Sequence, residues 1–398
     1  MTTHATYNTP LSDALAAELA QIRERARERT LKRTWNRRGA VVETDSGTAI
    51  DFSSNDYLGL ASDSRLSEAA SRAMREHGVG AGAARLISGN NPEHEALEAD
   101  LASFFGVERA LVFGSGYAAN VGTISALVER GDVIFSDALN HASVIDGCRL
   151  SRAEVRVYPH ADMGALATLL DRHRASARRA LIVTDGLFSM DGDAAPIAEI
   201  GDLARRFDAW TYVDDAHAVG VVGSDGRGTA SDAGFHGLVD VTVGTLGKAF
   251  GVAGAFVYGT ATLAQFLLNR ARSFIFSTAM LPAQAAAARE GLRIARDESW
   301  RRDAVHGNAR RIRSTLEQIG INPIDGEGTA HVIPVPLGDD ALTVRVGADL
   351  AARGFLVGAI RPPTVPVGTS RLRIAASAAH TADQIAGLGD ALAASLAR

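Results

Sequence analysis

The sequence lacks the features that several classes of protein require. Cys148 is the only cysteine among 398 residues, so no intrachain disulfide can form and we expect a reducing, cytoplasmic environment. No apolar run approaches the roughly 20 residues of a membrane-spanning helix, so we expect no membrane partner. The net charge of -5 lacks the basic excess typical of nucleic-acid-binding proteins. Residues 1–20 are polar and include acidic side chains, unlike a signal or transit peptide.

Glycine and short apolar runs are abundant instead. The chain has 40 glycines, and 46% of its residues are hydrophobic, as in an ordinary globular protein. Between residues 85 and 259, near-continuously apolar runs alternate with helical stretches, which indicates parallel strands buried on both faces. The runs are 110–114, 132–137, 154–159, 180–186, 210–217, 239–245 and 254–259. We therefore predict an α/β fold whose large domain contains a mostly parallel seven-stranded sheet.

A second, smaller region follows. After Pro282, a long alanine-rich helical stretch leads to further strands and helices, which predicts a small C-terminal α+β domain. We divide the chain into an N-terminal helix and arm (1–50), a large domain (51–290) and a small domain (291–398).

The N-terminal region is rich in charge. Residues 11–33 are predicted to form one helix, in which Glu18, Glu24 and Glu28 are interleaved with the arginines. This spacing favours a solvated, ion-paired face over a nucleic-acid-binding patch.

A glycine-rich turn, FGSGYAANVG (113–122), follows one predicted strand and opens a helix. Ligands of open α/β sheets bind beyond the carboxyl ends of the strands, and backbone amides at a helix start favour anions such as phosphate. The spacing Gly114-x-Gly116-x-x-Ala119 also fits a dinucleotide fingerprint, which leaves a nicotinamide-dependent oxidoreductase as an alternative.

Two other strand ends carry ionisable groups. Lys248 lies in GTLGKAFG (244–251) among uncharged neighbours, which would lower its pKa and make it a nucleophile. Asp214, Asp215 and His217 follow another strand. Adjacent strand residues point to opposite faces, so one carboxylate is expected to reach the site and the other to hold structure. A metal site is less favoured, because no further ligands show supporting spacing.

His141 and Ser189 follow two more strands. Alone, each would be an ordinary packing or turn residue. Together, the strand ends supply a phosphate site, a carboxylate, histidines and a protected lysine. Pyridoxal 5′-phosphate (PLP) requires this combination, for its phosphate, its ring nitrogen and its aldehyde.

Eight motifs resemble the α-oxoamine synthases, a family of PLP enzymes with fold type I. They occur in the family's order along nearly the whole chain. They are FSSNDYLGL (52–60), FGSGYAANVG (113–122), DALNHASVIDG (137–147), VTDGLFSMDGD (183–193), VDDAHAVGVVG (213–223), GTLGKAFG (244–251), FIFSTAMLP (274–282) and RPPTVPVGTSRLRI (361–374).

The resemblance implies roles around the cofactor. Lys248 would bind the PLP aldehyde as a Schiff base, and Asp214 would pair with the ring nitrogen. His217 and Ser189 would hydrogen-bond the phenolic oxygen. His141 would stack on the ring and act as an acid in later steps. Asp215 would then be structural.

The resemblance also implies a phosphate site shared between subunits. The amides of Gly116 and Tyr117 and the hydroxyl of Thr245 would hold the phosphate. Thr278 would reach the phosphate bound by the neighbouring subunit, so a homodimer with shared active sites is expected.

The remaining implied contacts concern substrates. Asn55 and Arg373 would bind the carboxylate of an amino acid, and Thr364 would lie against an acyl group. The family's N-terminal helix often supplies a basic residue to the acyl substrate, for which Lys32 and Arg33 are the candidates.

The family condenses an amino acid with an acyl thioester and releases CO2. Segment 361–374 resembles the biotin-pathway members, so we expect L-alanine and a pimeloyl thioester carried on coenzyme A or an acyl carrier protein. Glycine C-acetyltransferase, 5-aminolevulinate synthase and soluble serine palmitoyltransferase activities are the alternatives within the family.

Overall fold

The structure is a computed structural model that describes residues 9–232, 237–323 and 330–397. Within these ranges the strands are β1 (Thr34–Arg38), β2 (Val41–Thr44), β3 (Gly47–Asp51), β4 (Arg109–Phe113), β5 (Val133–Asp137), β6 (Glu154–Tyr158), β7 (Ala180–Asp185), β8 (Trp210–Asp214), β9 (Val241–Thr245), β10 (Ala255–Gly259), β11 (Val332–Gly338), β12 (Phe355–Leu356), β13 (Gly358–Ile360) and β14 (Ser370–Ala375). The α-helices are α1 (Pro10–Glu24), α2 (Ser64–His77), α3 (Pro92–Phe105), α4 (Gly116–Leu127), α5 (Ala142–Ser151), α6 (Met163–His173), α7 (Ile197–Arg206), α8 (Thr229–Asp232), α9 (Ala261–Arg270), α10 (Arg272–Ile275), α11 (Pro282–Asp297), α12 (Trp300–Gln318), α13 (Asp340–Ala352) and α14 (Ala382–Leu396). A π-helical turn covers Arg85–Gly89, and a 3-10 turn covers Arg174–Ser176.

A seven-stranded sheet forms the centre of the large domain. Its strand order is β4-β10-β9-β8-β7-β5-β6, and only β10 runs antiparallel to its neighbours. This confirms the predicted mostly parallel sheet. Each of its strands coincides with one of the seven apolar runs, although β4 begins one residue before its run.

Helices cover both faces of this sheet, which explains why its strands are apolar throughout. In β7, Leu181 and Val183 belong to a core cluster that includes Ile124 of α4. Ile182, which points the other way, packs in a cluster with Leu166 of α6. Neither face of β7 is left for water, so the strand shows no alternation of polar and apolar residues.

A three-stranded antiparallel sheet, ordered β11-β14-β13, lies in the C-terminal region. Its core joins Ile333, Leu372 and Ile374 to Ile312 of α12 and Leu388 of α14. This confirms the predicted small α+β domain. Because β14 is the central strand, its residues are fixed by pairing on both sides.

A third sheet joins the N-terminal strands to a strand of the C-terminal region. Its order is β1-β2-β3-β12, and β12 pairs parallel with β3 through Ile50–Phe355 and Asp51–Leu356. The boundaries proposed at 50/51 and 290/291 stay predictions; α11 runs through the second of them.

The predicted helix over residues 11–33 is wrong in its second half. Helix α1 ends at Glu24, and Ala26 has a positive φ of 53°, a left-handed conformation that stops helix propagation. Residues 25–33 form neither helix nor strand, and strand β1 begins only at Thr34. No side chain of α1 is buried, as its interleaved charges predict, and Arg23 pairs with Glu28 at 2.8 Å. No helix of the described ranges is long and apolar enough to cross a membrane.

Candidate active site

Lys248 lies in a tight turn just beyond β9, at the carboxyl edge of the large sheet. The turn is closed by hydrogen bonds from the Leu246 amide to the Gly254 carbonyl (2.9 Å) and from the Gly251 amide to the Lys248 carbonyl (3.0 Å). Gly251 has φ +72°, and a Cβ there would lie 2.7 Å from the backbone nitrogen of Ala61. Only glycine fits this position, so the turn that carries the lysine is sterically fixed.

The environment of Lys248 makes its amine reactive. Burial lowers the pKa of Lys248 to about 8; the positive charge of Arg373 acts in the same direction, and the negative charge of Asp214 opposes both. About a tenth of the amine is therefore unprotonated at pH 7, far more than for a lysine with the ordinary pKa, and the unprotonated form is the one that acts as a nucleophile or general base.

Asp214 is the last residue of β8 and is held in one orientation. Its carboxylate accepts hydrogen bonds from Nδ2 of Asn120 at 2.6 Å and from the Ala216 amide at 3.1 Å. Asn120 is fixed in turn, because its Oδ1 accepts from the hydroxyl of Tyr212 at 2.6 Å and its Nδ2 also donates to Ser143 at 2.8 Å. The amide of Asn120 therefore aims the carboxylate at a site beyond the strand.

Asp215 has a separate set of partners. It is fully buried and accepts from the hydroxyl of Thr229 at 2.5 Å and from the Ala230 amide at 3.4 Å. Burial raises the pKa of Asp215 to about 7. A Cβ on Gly186 or Gly228 would lie 2.1 Å from this carboxylate, so two glycines leave space for it. Asp214 and Asp215 therefore have different hydrogen-bond partners, although they are adjacent in sequence.

A tyrosine hydroxyl links three of the predicted site residues. Oη of Tyr57 lies 2.6 Å from Nδ1 of His217 and donates to Oδ1 of Asn55 at 3.1 Å. It accepts from Nη2 of Arg373 at 3.3 Å. Burial lowers the pKa of His217 well below its ordinary value, and the charges of Lys248 and Arg373 lower it further, so the ring is neutral at physiological pH.

Arg373 is a buried cation without a buried anion to match it. Its side chain is on β14, the residue is 5% exposed, and Nε donates to the carbonyl of Ser189 at 2.5 Å. Among the described residues, no carboxylate forms an ion pair with it. A desolvated guanidinium in this state is a strong site for a carboxylate ligand, which it can bind through two parallel hydrogen bonds.

His141 caps the start of α5 at the same edge of the sheet. Its Nδ1 lies 2.7 Å from the hydroxyl of Ser143, and its amide donates to Asp185 at 3.2 Å. Asp185 ends β7 and is buried, and this burial, with the negative charge of Asp214, raises the pKa of its carboxyl well above the ordinary value.

The start of α4 offers free amide groups. Ser115 caps the helix by accepting from the Ala118 amide at 3.1 Å. Within the described ranges, the amides of Gly116 and Tyr117 have no acceptor, and a Cβ on Gly116 would meet nothing within 4 Å. Two donors and open space at a helix N-terminus suit a phosphate. Thr245 is the last residue of β9 and directly precedes the turn that carries Lys248. Its hydroxyl donates to the Gly254 carbonyl at 3.0 Å.

Four predicted residues lie outside this cluster. Thr278 is exposed, and its backbone forms a bridge with Ala84. Thr364, Lys32 and Arg33 are also exposed, and Arg33 forms an ion pair with Asp45. Their predicted roles stay predictions.

Sequence reasoning missed four residues that shape the site. Tyr57, Asn120 and Asp185 all lie within or next to the recognised motifs, and the signal for Asp185 was a second carboxylate at a strand end. His331, fully buried with its ring 4.2 Å from that of Tyr57, gave no signal, because nothing local distinguishes it from a packing residue.

The sheet order excludes the dinucleotide alternative. In a dinucleotide-binding domain, the glycine fingerprint follows a central strand of the parallel sheet. Here the fingerprint follows β4, an edge strand whose neighbour β10 is antiparallel to it.

The chain belongs to the aminotransferase class I and II family, which matches residues 48–392. It is 48% identical over 384 residues to an 8-amino-7-oxononanoate synthase of Anaeromyxobacter dehalogenans, covering 96% of each chain. A serine palmitoyltransferase from S. paucimobilis, solved with a bound PLP–myriocin aldimine, superposes with a TM-score of 0.91 at 28% identity, over 98% of each chain. An 8-amino-7-oxononanoate synthase from Francisella tularensis gives a TM-score of 0.74 at 28% identity, over 88% of this chain and 98% of that one. These findings confirm the PLP-dependent fold inferred from the motifs.

The low pKa of Lys248 can be tested in the cofactor-free protein, because Lys32 and Lys248 are the only two lysines. We expect trace acetylation of Lys248, followed by peptide mass spectrometry, to rise with a midpoint near pH 8, the pKa that burial produces. Exposed Lys32 serves as the internal reference in the same sample. Parallel titration of the two lysines would show that burial does not lower the pKa of Lys248.

Proposed function

We propose that this chain condenses L-alanine with a pimeloyl thioester to give 8-amino-7-oxononanoate, CO2 and the free thiol, a step of biotin biosynthesis. The observation that carries the proposal is the 48% identity to an 8-amino-7-oxononanoate synthase over 96% of both chains. The high structural similarity to a serine palmitoyltransferase supports the same class of reaction, but the identity there is only 28%.

The residues at the carboxyl edge of the sheet fit PLP. The free amides of Gly116 and Tyr117 suit its phosphate, the oriented carboxylate of Asp214 suits a protonated ring nitrogen, and Lys248 suits its aldehyde. When bound, PLP supplies an electron sink for negative charge at the α-carbon of an amino acid.

Arg373 and Asn55 form the proposed seat for the amino-acid carboxylate. The guanidinium lies buried beside the Tyr57 hydroxyl, which also contacts Asn55. A carboxylate there would neutralise a charge that the described protein groups leave unpaired, and this fixes the orientation of the amino acid.

Lys248 is the proposed base for the α-proton. Its pKa of about 8 places it close to the pH at which a base is both unprotonated and basic enough to accept a proton. Burial lowers the pKa values of His141 and His217, and the positive charge of Lys248 lowers both further. The two histidines are the proposed acid and hydrogen-bond partners.

We also propose that the active protein is a homodimer. Thr278 is exposed in the single chain. Phe276, two residues before it, is 71% exposed, and Ile87, close in sequence to the Ala84 that bridges to Thr278, is 81% exposed. Burial of this surface against a second copy would allow Thr278 to complete the partner's phosphate site.

Asp214→Asn and Asp215→Asn form a matched pair for testing the site. At about pH 6, Asp215 is largely protonated, because its pKa is about 7. The neutral side-chain amide introduced by Asp215→Asn resembles this protonated carboxyl group, so turnover should change little. Asp214→Asn removes the negative charge proposed to face the cofactor, and kcat should fall roughly 100- to 1,000-fold. Steady-state assays measure kcat for both variants, after circular dichroism has shown that each is natively folded. The reverse ranking would mean that Asp215, and not Asp214, faces the cofactor.

The substrate assignment is tested by thiol release. Alanine, glycine and serine are each paired with acetyl, succinyl, pimeloyl and palmitoyl thioesters, on coenzyme A and on acyl carrier protein, with Lys248→Ala as the inactive control. We expect the highest kcat/KM for L-alanine with pimeloyl, exceeding glycine by about tenfold or more, the usual value of one methyl group in a fitted pocket. A preference for glycine with acetyl, or serine with palmitoyl, would overturn the assignment.

A further inference from the structure

The segment 186–195, which we call the Ser189 loop, joins β7 to α7 and folds back on itself. The Phe188 amide donates to the Asp193 carbonyl at 2.9 Å, and the Ala195 amide donates to the Gly186 carbonyl at 3.0 Å. The carbonyl of Ser189, at its tip, accepts from Nε of Arg373. The position of this loop therefore sets the direction of the guanidinium.

The small domain contacts the Ser189 loop from one side. Arg371 donates to the Met190 carbonyl at 3.2 Å and forms an ion pair with Asp191. A Cβ on Gly192 would lie 2.3 Å from the carbonyl of Val332, so the loop packs closely against β11. These contacts hold the loop to the small domain but not to the large sheet.

His160 holds the loop from the other side. Its Nδ1 lies 3.0 Å from Asp137 at the end of β5, and its Nε2 lies 2.7 Å from Asp193 in the loop. The ring also packs edge-on against Phe188, with centroids 4.4 Å apart. Both ring nitrogens can donate only when the imidazole is protonated. Hydrogen bonds to Asp137 and Asp193 raise the pKa of His160 to about 10, so the bridge stays charged at physiological pH.

The two carboxylates depend on His160 to different degrees. Asp137 also accepts from the amides of Leu139 at 2.8 Å and Ala161 at 2.9 Å. Asp193 has no such support: its Oδ1 is buried without a partner among the described residues, and its Oδ2 is bound by His160. Loss of the imidazolium would leave the Asp193 carboxylate uncompensated and favour a shift of the loop.

We propose that His160 is a positioning residue for the amino-acid carboxylate. The bridge Asp137–His160–Asp193 fixes the Ser189 loop to the large sheet, and the Ser189 carbonyl then fixes Arg373. The inference rests on the proposed function for its link to an amino-acid substrate. The bridge itself follows from the two distances that join His160 to Asp137 and Asp193 and does not depend on the proposed function.

The kinetic test compares His160→Gln, Asp193→Asn and the double variant. We expect KM for the amino acid to rise about tenfold in each single variant, as when a partner that orients a ligand-binding group is lost. KM for the thioester should stay within twofold, kcat should change less than the amino-acid KM, and the double variant should be no worse than either single one. His173→Gln is the control, since its ring forms no hydrogen bond with the described residues.

A second readout needs no turnover. In the cofactor-free protein, hydrogen–deuterium exchange of peptides covering 186–195 should increase in His160→Gln, while peptides covering β4 stay unchanged. Unchanged exchange in 186–195 would overturn the proposal, and so would equal losses in both KM values with global destabilisation. If no substrate pair is turned over by the wild-type protein, the proposed function fails, and the exchange result still decides whether His160 holds the loop.

Discussion

The active-site structure depends on one buried charge, the guanidinium of Arg373. A cation removed from water needs compensation, and among the described residues it finds only a carbonyl and a tyrosine hydroxyl. Its field also lowers the pKa values of Lys248 and His217, which burial already lowers. Burial and this charge together produce a reactive amine and a neutral histidine beside the proposed carboxylate site.

The topology brings these groups together. Parallel strands β7, β8 and β9 end at one edge of the large sheet. Asp185 and Asp214 are the last residues of β7 and β8, and the turn that carries Lys248 follows β9. Arg373 comes from β14, the central strand of the small sheet, where pairing on both sides fixes its backbone. The site thus lies between the large sheet and the small sheet, and the Ser189 loop contacts both.

Features set by residues close together in the sequence could be predicted, and features set by contacts between distant residues could not. Buried parallel strands are apolar along their whole length, so the seven runs predicted the large sheet. Lys248 and the pair Asp214 and Asp215 were identified by their places at strand ends, and only the family resemblance assigned Asp214 to the site. The end of α1 was missed because residues 25–33 keep a helix-like composition, whereas Ala26 adopts a left-handed conformation that no local pattern signals. Tyr57 contacts His217 and Arg373, which are 160 and 316 positions away in the sequence, and His160 contacts Asp193, which is 33 positions away. No local pattern therefore distinguished these two residues.

The proposed role of Arg373 is to receive the substrate carboxylate on its unpaired guanidinium. The most direct measurement is equilibrium binding of L-alanine and of ethylamine, its analogue without a carboxylate, to the PLP-loaded protein, followed by the change in its visible spectrum. The account predicts that Arg373→Met weakens binding of L-alanine by about 100-fold, the loss of a buried charge-assisted pair, while binding of ethylamine changes little. Equal weakening of both ligands, or of neither, would contradict it.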